Sequence, residues 1–156
     1  FVIDAGAFNL LKDNNKLILD IREKAILTPH PGEMARLIDK SIEYVEENRV
    51  EVAKKFAKEN KVVVLLKGYN TIITDGECVY INSSGNSKMA SGGMGDCLTG
   101  IIASLLAQGH TAIESALIGA YVHGLAGELA SEGKYSTIAS ELIENISRAM
   151  NYMNKS

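Results

Sequence analysis

The run Val62–Leu66 constrains the fold of this chain more than any other segment, because every position in it is aliphatic. Strands with one exposed face alternate apolar and polar residues, whereas strands buried on both faces read as continuous Val, Ile and Leu. Lys67 and Gly68 close the run at the length of a strand. The sequence therefore predicts a central strand that needs covering layers on both sides, which is typical of α/β proteins.

Two shorter apolar runs precede this strand, and a hairpin follows it. Phe1–Asp4 and Ala25–Thr28 are predicted to be strands. Thr71–Thr74 and Cys78–Asn82 flank Asp75-Gly76-Glu77, and Asp-Gly between two β-rich runs is a strong hairpin signal. The order of elements predicts an α/β fold with a mostly parallel central sheet, flanking helices and an antiparallel edge hairpin.

Helical patterns separate and follow the predicted strands. A short helix is predicted at Phe8–Leu11, and another after Pro31, since proline suits the first helical position. Ser41 is predicted to cap one continuous helix that ends at Asn60. Three further helices are predicted at 96–108, 112–132 and 137–153. The last helix carries an apolar stripe that is expected to face the core: Ile138, Leu142, Ile143, Ile146 and Met150.

Composition and charge exclude several classes of function. The chain has 156 residues, is 46% hydrophobic and carries a formal net charge of −3, so we expect one domain without a nucleic-acid or membrane partner. Polar residues interrupt the uncharged stretch from Cys97 to Ile113, which therefore does not predict a membrane span. Cys78 and Cys97 lack metal or disulfide spacing and are expected to be free, buried and in a reducing, cytoplasmic setting. Because the chain opens inside a predicted strand, we expect residues 1–156 to form the C-terminal part of a longer domain.

The segment 83–100 combines a glycine-rich loop with the start of a long apolar helix. Gly92, Gly93 and Gly95 leave backbone N–H groups uncovered at the helix N-terminus, where the helix dipole also favours an anion. An acid in such a nest competes with the anion unless it handles a proton, which is the chemistry that Asp96 offers. The loop is neither a P-loop nor a dinucleotide fingerprint. A flexible loop with Asp96 as an ordinary helix cap is the alternative.

Polar side chains follow the predicted parallel strands. Asp4, His30 and Lys67 stand at or just after strand ends, and Asp96 stands at a helix start. Ligands of open α/β sheets bind beyond the carboxyl ends of the strands. We therefore expect a single crevice to collect these four residues.

Five segments together resemble the ADP/ATP-dependent NAD(P)H-hydrate dehydratase family, which has a ribokinase-like fold. They are Val2–Leu11, Leu27–Glu33, Leu66–Thr71, Gly85–Gly100 and Tyr121–Gly127. The Gly-Gly-Met-Gly-Asp motif is shared by the wider ribokinase-like superfamily. The His-Pro-Gly-Glu segment and the loop that carries Asn86 are more specific to the dehydratases.

The resemblance implies a lyase that repairs damaged nicotinamide cofactors. ADP or ATP, with Mg²⁺, phosphorylates the hydroxyl of hydrated NADH or NADPH, and departure of phosphate restores the double bond. Phosphoryl transfer needs mainly positioning and charge stabilisation, which an anion nest and a cation supply. The resemblance also implies a cytoplasmic homo-oligomer, such as a tetramer, and in many relatives an additional epimerase domain.

The resemblance assigns roles to individual residues of this sequence. Asp96 is implied as the base that also contacts the hydrate, and His30 as a second substrate contact. The anion hole is implied at Gly93, Met94 and Gly95. Nucleotide binding is implied at Lys67, Gly68, Tyr69, Asn70, Thr71, Asn86 and Gly95. No metal site built from protein side chains is predicted.

Other interpretations of these residues remain open from the sequence. His123 is expected to pack in the core, and Glu33 to stabilise the first turn of its helix. Asp4 shapes the crevice or caps a turn, and Lys88 is expected to strengthen phosphate binding modestly. At the level of function, the alternatives are a ribokinase-like small-molecule kinase, such as a vitamin-precursor kinase, and a non-catalytic nucleotide-binding fragment.

Overall fold

The computed structural model describes residues 1–13 and 15–153, and within them the strands form one sheet in the order β1-β2-β3-β4-β5. The strands are β1 (Val2–Ile3), β2 (Ile26–Leu27), β3 (Val63–Leu66), β4 (Thr71–Thr74) and β5 (Val79–Asn82). β1, β2 and β3 run parallel, whereas β4 and β5 form an antiparallel hairpin beside β3. This confirms the predicted α/β sheet with its antiparallel edge.

The helices cover both faces of the sheet. They are α1 (Ala7–Asp13), α2 (Asn15–Asp20), α3 (Pro31–Leu37), α4 (Ile42–Glu47), α5 (Arg49–Asn60), α6 (Met94–Ala107), α7 (Ala112–Ala130) and α8 (Ala139–Met153). A short 3₁₀ turn spans Ser87–Met89. Neither this turn nor α2 is among the predicted elements. No helix among the described residues is both long and apolar enough to cross a membrane.

Successive residues of β3 bury their side chains in different layers, which explains its continuous aliphatic sequence. Val64 and Leu66 pack with Phe56 of α5 in the layer that also holds α1 and α3. Val63 and Leu65 pack on the other face, with α6 and α7. A third apolar cluster joins α7 to α8 around Val122 and Leu142. The sheet is therefore a two-sided scaffold, with α8 in an outer layer over α7.

The predicted single helix from Ser41 to Asn60 is wrong at one position. Ser41 does cap its N-terminus, since Ser41 Oγ accepts a hydrogen bond from Tyr44 N at 3.1 Å. Asn48, however, has φ −125° and ψ 31°, which separates α4 from α5. The Asn48 side chain donates to the carbonyl of Tyr44 at 2.9 Å, in the way that Asn competes with backbone hydrogen bonds.

Two expectations about burial also need correction. The apolar stripe predicted for the last helix is only partly buried, because Ile143 and Ile138, which directly precedes α8, are each 55% exposed while Leu142 is fully buried. The reason is that α8 packs mainly on α7, so that one edge of its stripe faces an open groove beside α6. Both cysteines are free as expected, but Cys78 is exposed on the edge hairpin and Cys97 is half-buried.

Candidate active site

The carboxyl ends of β1 and β3 meet in an ion pair. Lys67 Nζ lies 2.7 Å from Asp4 Oδ1, and both side chains are largely shielded from solvent. The other Asp4 oxygen accepts a hydrogen bond from Thr99 Oγ1, one turn into α6, at 3.1 Å. Burial opposes ionisation of Asp4, but the Lys67 ammonium together with hydrogen bonds from Thr28 and from the backbone of Ala5 outweighs it, so that the pKa of Asp4 is lowered. Asp4 thus ties two strand ends to the first turns of α6.

The N-terminus of α6 is open. Gly93 has φ +84°, and no side chain caps the helix. The backbone N–H groups of Met94, Gly95 and Asp96 donate no hydrogen bond within the described residues. An α-helix begins with N–H groups that lack intrahelical partners, and anions bind well to such groups. The predicted nest is therefore present at the first turn of α6.

This nest adjoins the ion pair. A Cβ placed on Gly95 would lie 3.5 Å from Asp4 Oδ2 and 3.6 Å from Lys67 Nζ. Asp96 follows directly, and its exposed carboxylate has no ion pair or hydrogen bond within the described part of the chain. The structure thus brings together a cation, free amides and an unpaired carboxylate at one edge of the sheet.

The side chain of Met94 lies in the core rather than at the predicted anion hole. Its side chain is buried and packs with Val122, Ala126 and Leu142 of the α7–α8 cluster. Only its backbone N–H therefore remains for an anion. Next to the nest, burial and the neighbouring Asp96 raise the pKa of the Cys97 thiol, which keeps Cys97 protonated and poorly nucleophilic.

His30 stands at the N-cap of α3, on the same side of the sheet. Its Nδ1 accepts hydrogen bonds from Gly32 N at 3.0 Å and from Glu33 N at 3.3 Å. Glu33 Oε2 accepts in return from His30 N at 2.8 Å, which completes a capping box and confirms the helix-start role of Glu33. The ring of His30 is half-exposed, and the nitrogen left to offer a ligand is Nε2, which lies 3.6 Å from Glu33 Oε1. Glu33 Oε2 also lies 3.8 Å from Lys67 Nζ.

Four of the predicted nucleotide residues, Gly68, Tyr69, Asn70 and Thr71, lie between Lys67 and the first residue of β4 inclusive. Gly68 has φ +142° and Asn70 has φ +54°, while the Tyr69 side chain is 93% exposed. Thr71 Oγ1 donates to the carbonyl of Gly68 at 3.1 Å. The turn is therefore an exposed surface beside Lys67 with a defined backbone conformation.

Arg49 holds this turn from the α5 side, a role that the sequence analysis missed. Its guanidinium donates to the carbonyls of Leu66 at 3.3 Å and Lys67 at 3.2 Å. Gly68 has φ +142°, which strains any residue with a side chain, and a Cβ there would also lie 2.8 Å from that guanidinium. Position in the sequence gives no signal of these contacts, because 17 residues or more separate the partners.

Asn86 lies in the loop before α6 and uses its amide within the protein. Its Oδ1 accepts from Lys88 N at 3.0 Å, and its Nδ2 donates to Ser131 Oγ at 3.0 Å. Lys88 Nζ donates to the carbonyl of Ser131 at 3.3 Å, at the C-terminal end of α7. Both side chains thus attach the loop to α7, and their predicted contact with phosphate remains a prediction.

An apolar groove of about 480 Å³ starts beside the nest and follows α6. Asp96 lines one end and Gln108 the other, with Ile143 and Met150 of α8 on the far wall. The groove extends away from the strand ends, and nothing in its lining resembles a phosphate site.

The donor set does not fit a metal cage built by the protein. Among the described residues, no group of three or more His, Cys, Asp or Glu side chains converges on one point. Asp4 and Glu33 both lie within 4 Å of Lys67, which leaves Asp96 as a free carboxylate at the nest. A Mg²⁺ ion would suit this place only as part of a nucleotide complex, since Mg²⁺ is commonly held by substrate phosphates and one or two carboxylates.

Comparison with known proteins shows the family and the fold. The sequence model of the NAD(P)H-hydrate dehydratase family matches residues 1–148. A bifunctional NAD(P)H-hydrate repair enzyme of Moorella thermoacetica is 44% identical over 147 residues, which are 92% of this chain and 28% of that protein. A ribokinase-like superfamily protein from Enterococcus faecalis has a TM-score of 0.83 at 30% identity, over 99% of this chain and 52% of that one.

The ADP/ATP-dependent NAD(P)H-hydrate dehydratase from Bacillus subtilis, co-crystallised with ATP/Mg²⁺ and soaked with CoA, has a TM-score of 0.78. It is 33% identical, and the match covers 82% of this chain and 48% of that one. The chain thus spans between about a quarter and about half of the length of these relatives. The match to the family model over nearly the whole sequence, together with the ribokinase-like fold, shows that the chain belongs to the NAD(P)H-hydrate dehydratase family.

Proposed function

We propose that this chain forms the nucleotide-binding and proton-accepting part of an ADP- or ATP-dependent NAD(P)H-hydrate dehydratase. The observation that carries the proposal is the open N-terminus of α6, whose free N–H groups lie beside both Lys67 and the unpaired Asp96 carboxylate. The names of the relatives support the substrates, which are hydrated NADH or NADPH and a nucleotide. Because the chain spans only part of their length, the remainder of a complete domain would supply the other wall of the hydrate pocket.

The first step is phosphoryl transfer to the hydrate. Asp96 accepts the proton of the substrate hydroxyl as the hydroxyl oxygen attacks the terminal phosphorus of the nucleotide. The bond from that phosphorus to the bridging oxygen breaks, and AMP leaves when the donor is ADP. The N–H groups of Met94, Gly95 and Asp96, together with the Lys67 ammonium, stabilise the charge on the transferred group.

The second step is elimination. Phosphate is a far better leaving group than hydroxide, so the carbon–oxygen bond breaks, a ring proton passes to water, and the double bond of NADH or NADPH is restored. His30 presents Nε2 to the hydrated nucleotide, because its Nδ1 is already occupied by the α3 backbone. Mg²⁺ would arrive with the nucleotide and would neutralise phosphate charge there, with Asp96 and Asn86 as the proposed oxygen donors.

The turn Gly68–Thr71 is proposed as the wall that contacts the nucleotide beyond its phosphates, because it is exposed and directly follows Lys67. The wider proposal is a cytoplasmic homo-oligomer. A second catalytic domain in the complete protein is supported by the bifunctional name of the Moorella relative, and the sequence resemblance implies that this domain is an epimerase.

The direct test incubates the purified chain with hydrated NADH and Mg·ADP, or Mg·ATP, while the absorbance of NADH is followed. Nucleotide-dependent recovery of NADH with release of phosphate supports the dehydratase. A stable phosphorylated product would instead support the small-molecule kinase. Nucleotide binding without any turnover would support the non-catalytic fragment.

A further inference from the structure

The loop that precedes α6 is supported by α7 rather than by the sheet. Gly85 N donates to Glu128 Oε1 at 2.7 Å, and Ser84 Oγ donates to the carbonyl of Tyr121 at 3.2 Å. Further along, Asn86 Nδ2 donates to Ser131 Oγ at 3.0 Å. One helix face therefore determines the course of the loop towards the nest.

The loop and α7 approach so closely that side chains are excluded between them. A Cβ on Gly124 would lie 2.6 Å from the backbone carbon of Ser84. A Cβ on Gly127 would lie 2.8 Å from Met89 Cγ, and closer still to the end of that side chain. Gly124 and Gly127 cost helix propensity, and this close approach is the structural reason for them.

His123 lies between these glycines and the nest. It is partly buried on α7, and its Nε2 lies 2.9 Å from the carbonyl oxygen of Met94, the first residue of α6. A carbonyl oxygen only accepts hydrogen bonds, so Nε2 must carry a hydrogen. Burial lowers the pKa of His123, so the ring is neutral and its Nδ1 is unprotonated.

The carbonyl of Met94 and the N–H of Gly95 belong to the same planar peptide unit. In a trans peptide these two groups point in opposite directions, and rotation about the C–N bond is strongly hindered. A hydrogen bond that holds the carbonyl from the α7 side therefore also fixes the direction of the Gly95 N–H. That N–H is one of the free donors of the nest, beside Asp4 and Lys67.

We propose that His123 is a positioning residue, which orients the Met94–Gly95 peptide plane so that the Gly95 N–H points at a bound phosphoryl group. The inference deepens the proposed function, on which it rests for the identity of the anion. His123 does not touch the substrate and takes no proton. Its contribution is to fix the donor direction before the anion arrives, which is how preorganised donors stabilise charge most effectively.

The test compares His123→Gln, which keeps an amide donor near the position of Nε2, with His123→Met, which has similar length but no donor. Titration calorimetry with Mg·ADP is expected to show roughly tenfold weaker binding for His123→Met, the size of one lost hydrogen bond, and less than about threefold for His123→Gln. Matched control variants are His110→Gln and His110→Met at the exposed turn before α7. A purely structural His123 would lower the free energy of unfolding in both His123 variants and leave the affinity of the folded protein unchanged, which would overturn the proposal.

Backbone ¹H–¹⁵N spectra give a readout that does not depend on nucleotide binding. The Gly95 amide signal is expected to shift in His123→Met and to return towards its wild-type position in His123→Gln. An unchanged Gly95 signal in His123→Met would overturn the inference. If the wild-type chain binds no Mg·ADP, the proposed function fails, and these spectra still decide the positioning role.

The wild-type protein itself provides a further test if His123→Met does not fold. Long-range ¹H–¹⁵N spectra of the imidazole are expected to show a protonated Nε2 and an unprotonated Nδ1 for His123. The opposite tautomer cannot donate to the Met94 carbonyl and would refute the proposal.

Discussion

Two helices begin at the same edge of the sheet with closely similar sequences but opposite states of their N-termini. In α3 the N-cap is His30, and in α6 it is Gly93; both helices then have glycine at the second position and an acid at the third. In α3, His30 and Glu33 close a capping box over the first turn. In α6 no side chain caps the helix, and the acid Asp96 remains unpaired within the described residues.

The two helices therefore use their N-termini differently: that of α3 stabilises the helix, whereas that of α6 is left available to a ligand. The first turn of α3 uses its N–H groups to stabilise itself, and a ligand there would have to displace the cap. The first turn of α6 leaves its N–H groups for a ligand and does without the stability that a cap supplies. Asp4 and Lys67 lie between the two, with contacts to Thr99 of α6 and Glu33 of α3.

The largest expected effect comes from exchanging the two acids for their amides. Asp96→Asn removes the proposed base and is expected to lower turnover roughly a hundred- to ten-thousandfold, with little change in the free energy of unfolding. Glu33→Gln keeps a side chain that can complete a capping box and is expected to retain most activity. Steady-state rates and urea unfolding of both variants measure the contrast. Comparable loss of turnover in the two would show that the proposed division of roles is wrong.

The second comparison concerns the cap of α3. His30→Ala removes the acceptor of two backbone N–H groups and is expected to lower the free energy of unfolding by about 1 kcal/mol. His30→Asn retains a good N-cap and is expected to be close to wild type in stability, but it loses the Nε2 contact with the hydrate. Thermal unfolding and the KM for hydrated NADH distinguish these effects. If His30→Asn had both the thermal stability and the KM for hydrated NADH of the wild type, Nε2 would have no role in substrate binding.

Much of the fold could be predicted because its signals are local. The aliphatic run of β3 and the Asp-Gly turn at Asp75 each determine their element within a few residues. The break at Asn48 and the exposure of Ile143 were not predicted. The break at Asn48 depends on a side chain that competes with the helix backbone for hydrogen bonds. The exposure of Ile143 depends on the distance between α8 and α6, which the periodicity of apolar residues in one helix does not predict.

In the candidate site, too, some features could be predicted from local sequence signals and others could not. Strand ends and glycine spacing were sufficient to bring Asp4, Lys67 and the start of α6 to one edge of the sheet, as the structure shows. The contact of Thr99 with Asp4 joins residues 95 positions apart and has no local signal. His123 was expected to be a packing residue, and it is partly buried, but its hydrogen bond to Met94 appears only once α7 and α6 are placed together.

Alanine at the second helical position should affect the two N-termini in opposite ways. Gly95→Ala places a Cβ at ordinary contact distances, so the helix is expected to become more stable by up to about 1 kcal/mol while Mg·ADP binds more weakly. Gly32→Ala places a Cβ 2.9 Å from His30 Cε1, which displaces the capping ring and is expected to destabilise the protein. Chemical denaturation and calorimetry test both signs. Tighter Mg·ADP binding by Gly95→Ala would contradict an anion site at that amide.

The smallest expected effect concerns the ion pair between the two helix starts and its dependence on pH. The pKa of Asp4 is lowered in the folded protein, so its ionised carboxylate contributes stability above the unfolded pKa, and this contribution disappears as the pH falls through the folded pKa. The free energy of unfolding of Asp4→Asn is therefore expected to be lower than that of wild type at neutral pH, and the difference should shrink below about pH 4. Glu47→Gln, at an exposed carboxylate without an ion pair in the described chain, is the control of equal charge. A difference between Asp4→Asn and wild type that stayed constant from neutral to acidic pH would mean that Asp4 contributes through packing and hydrogen bonding rather than through its charge.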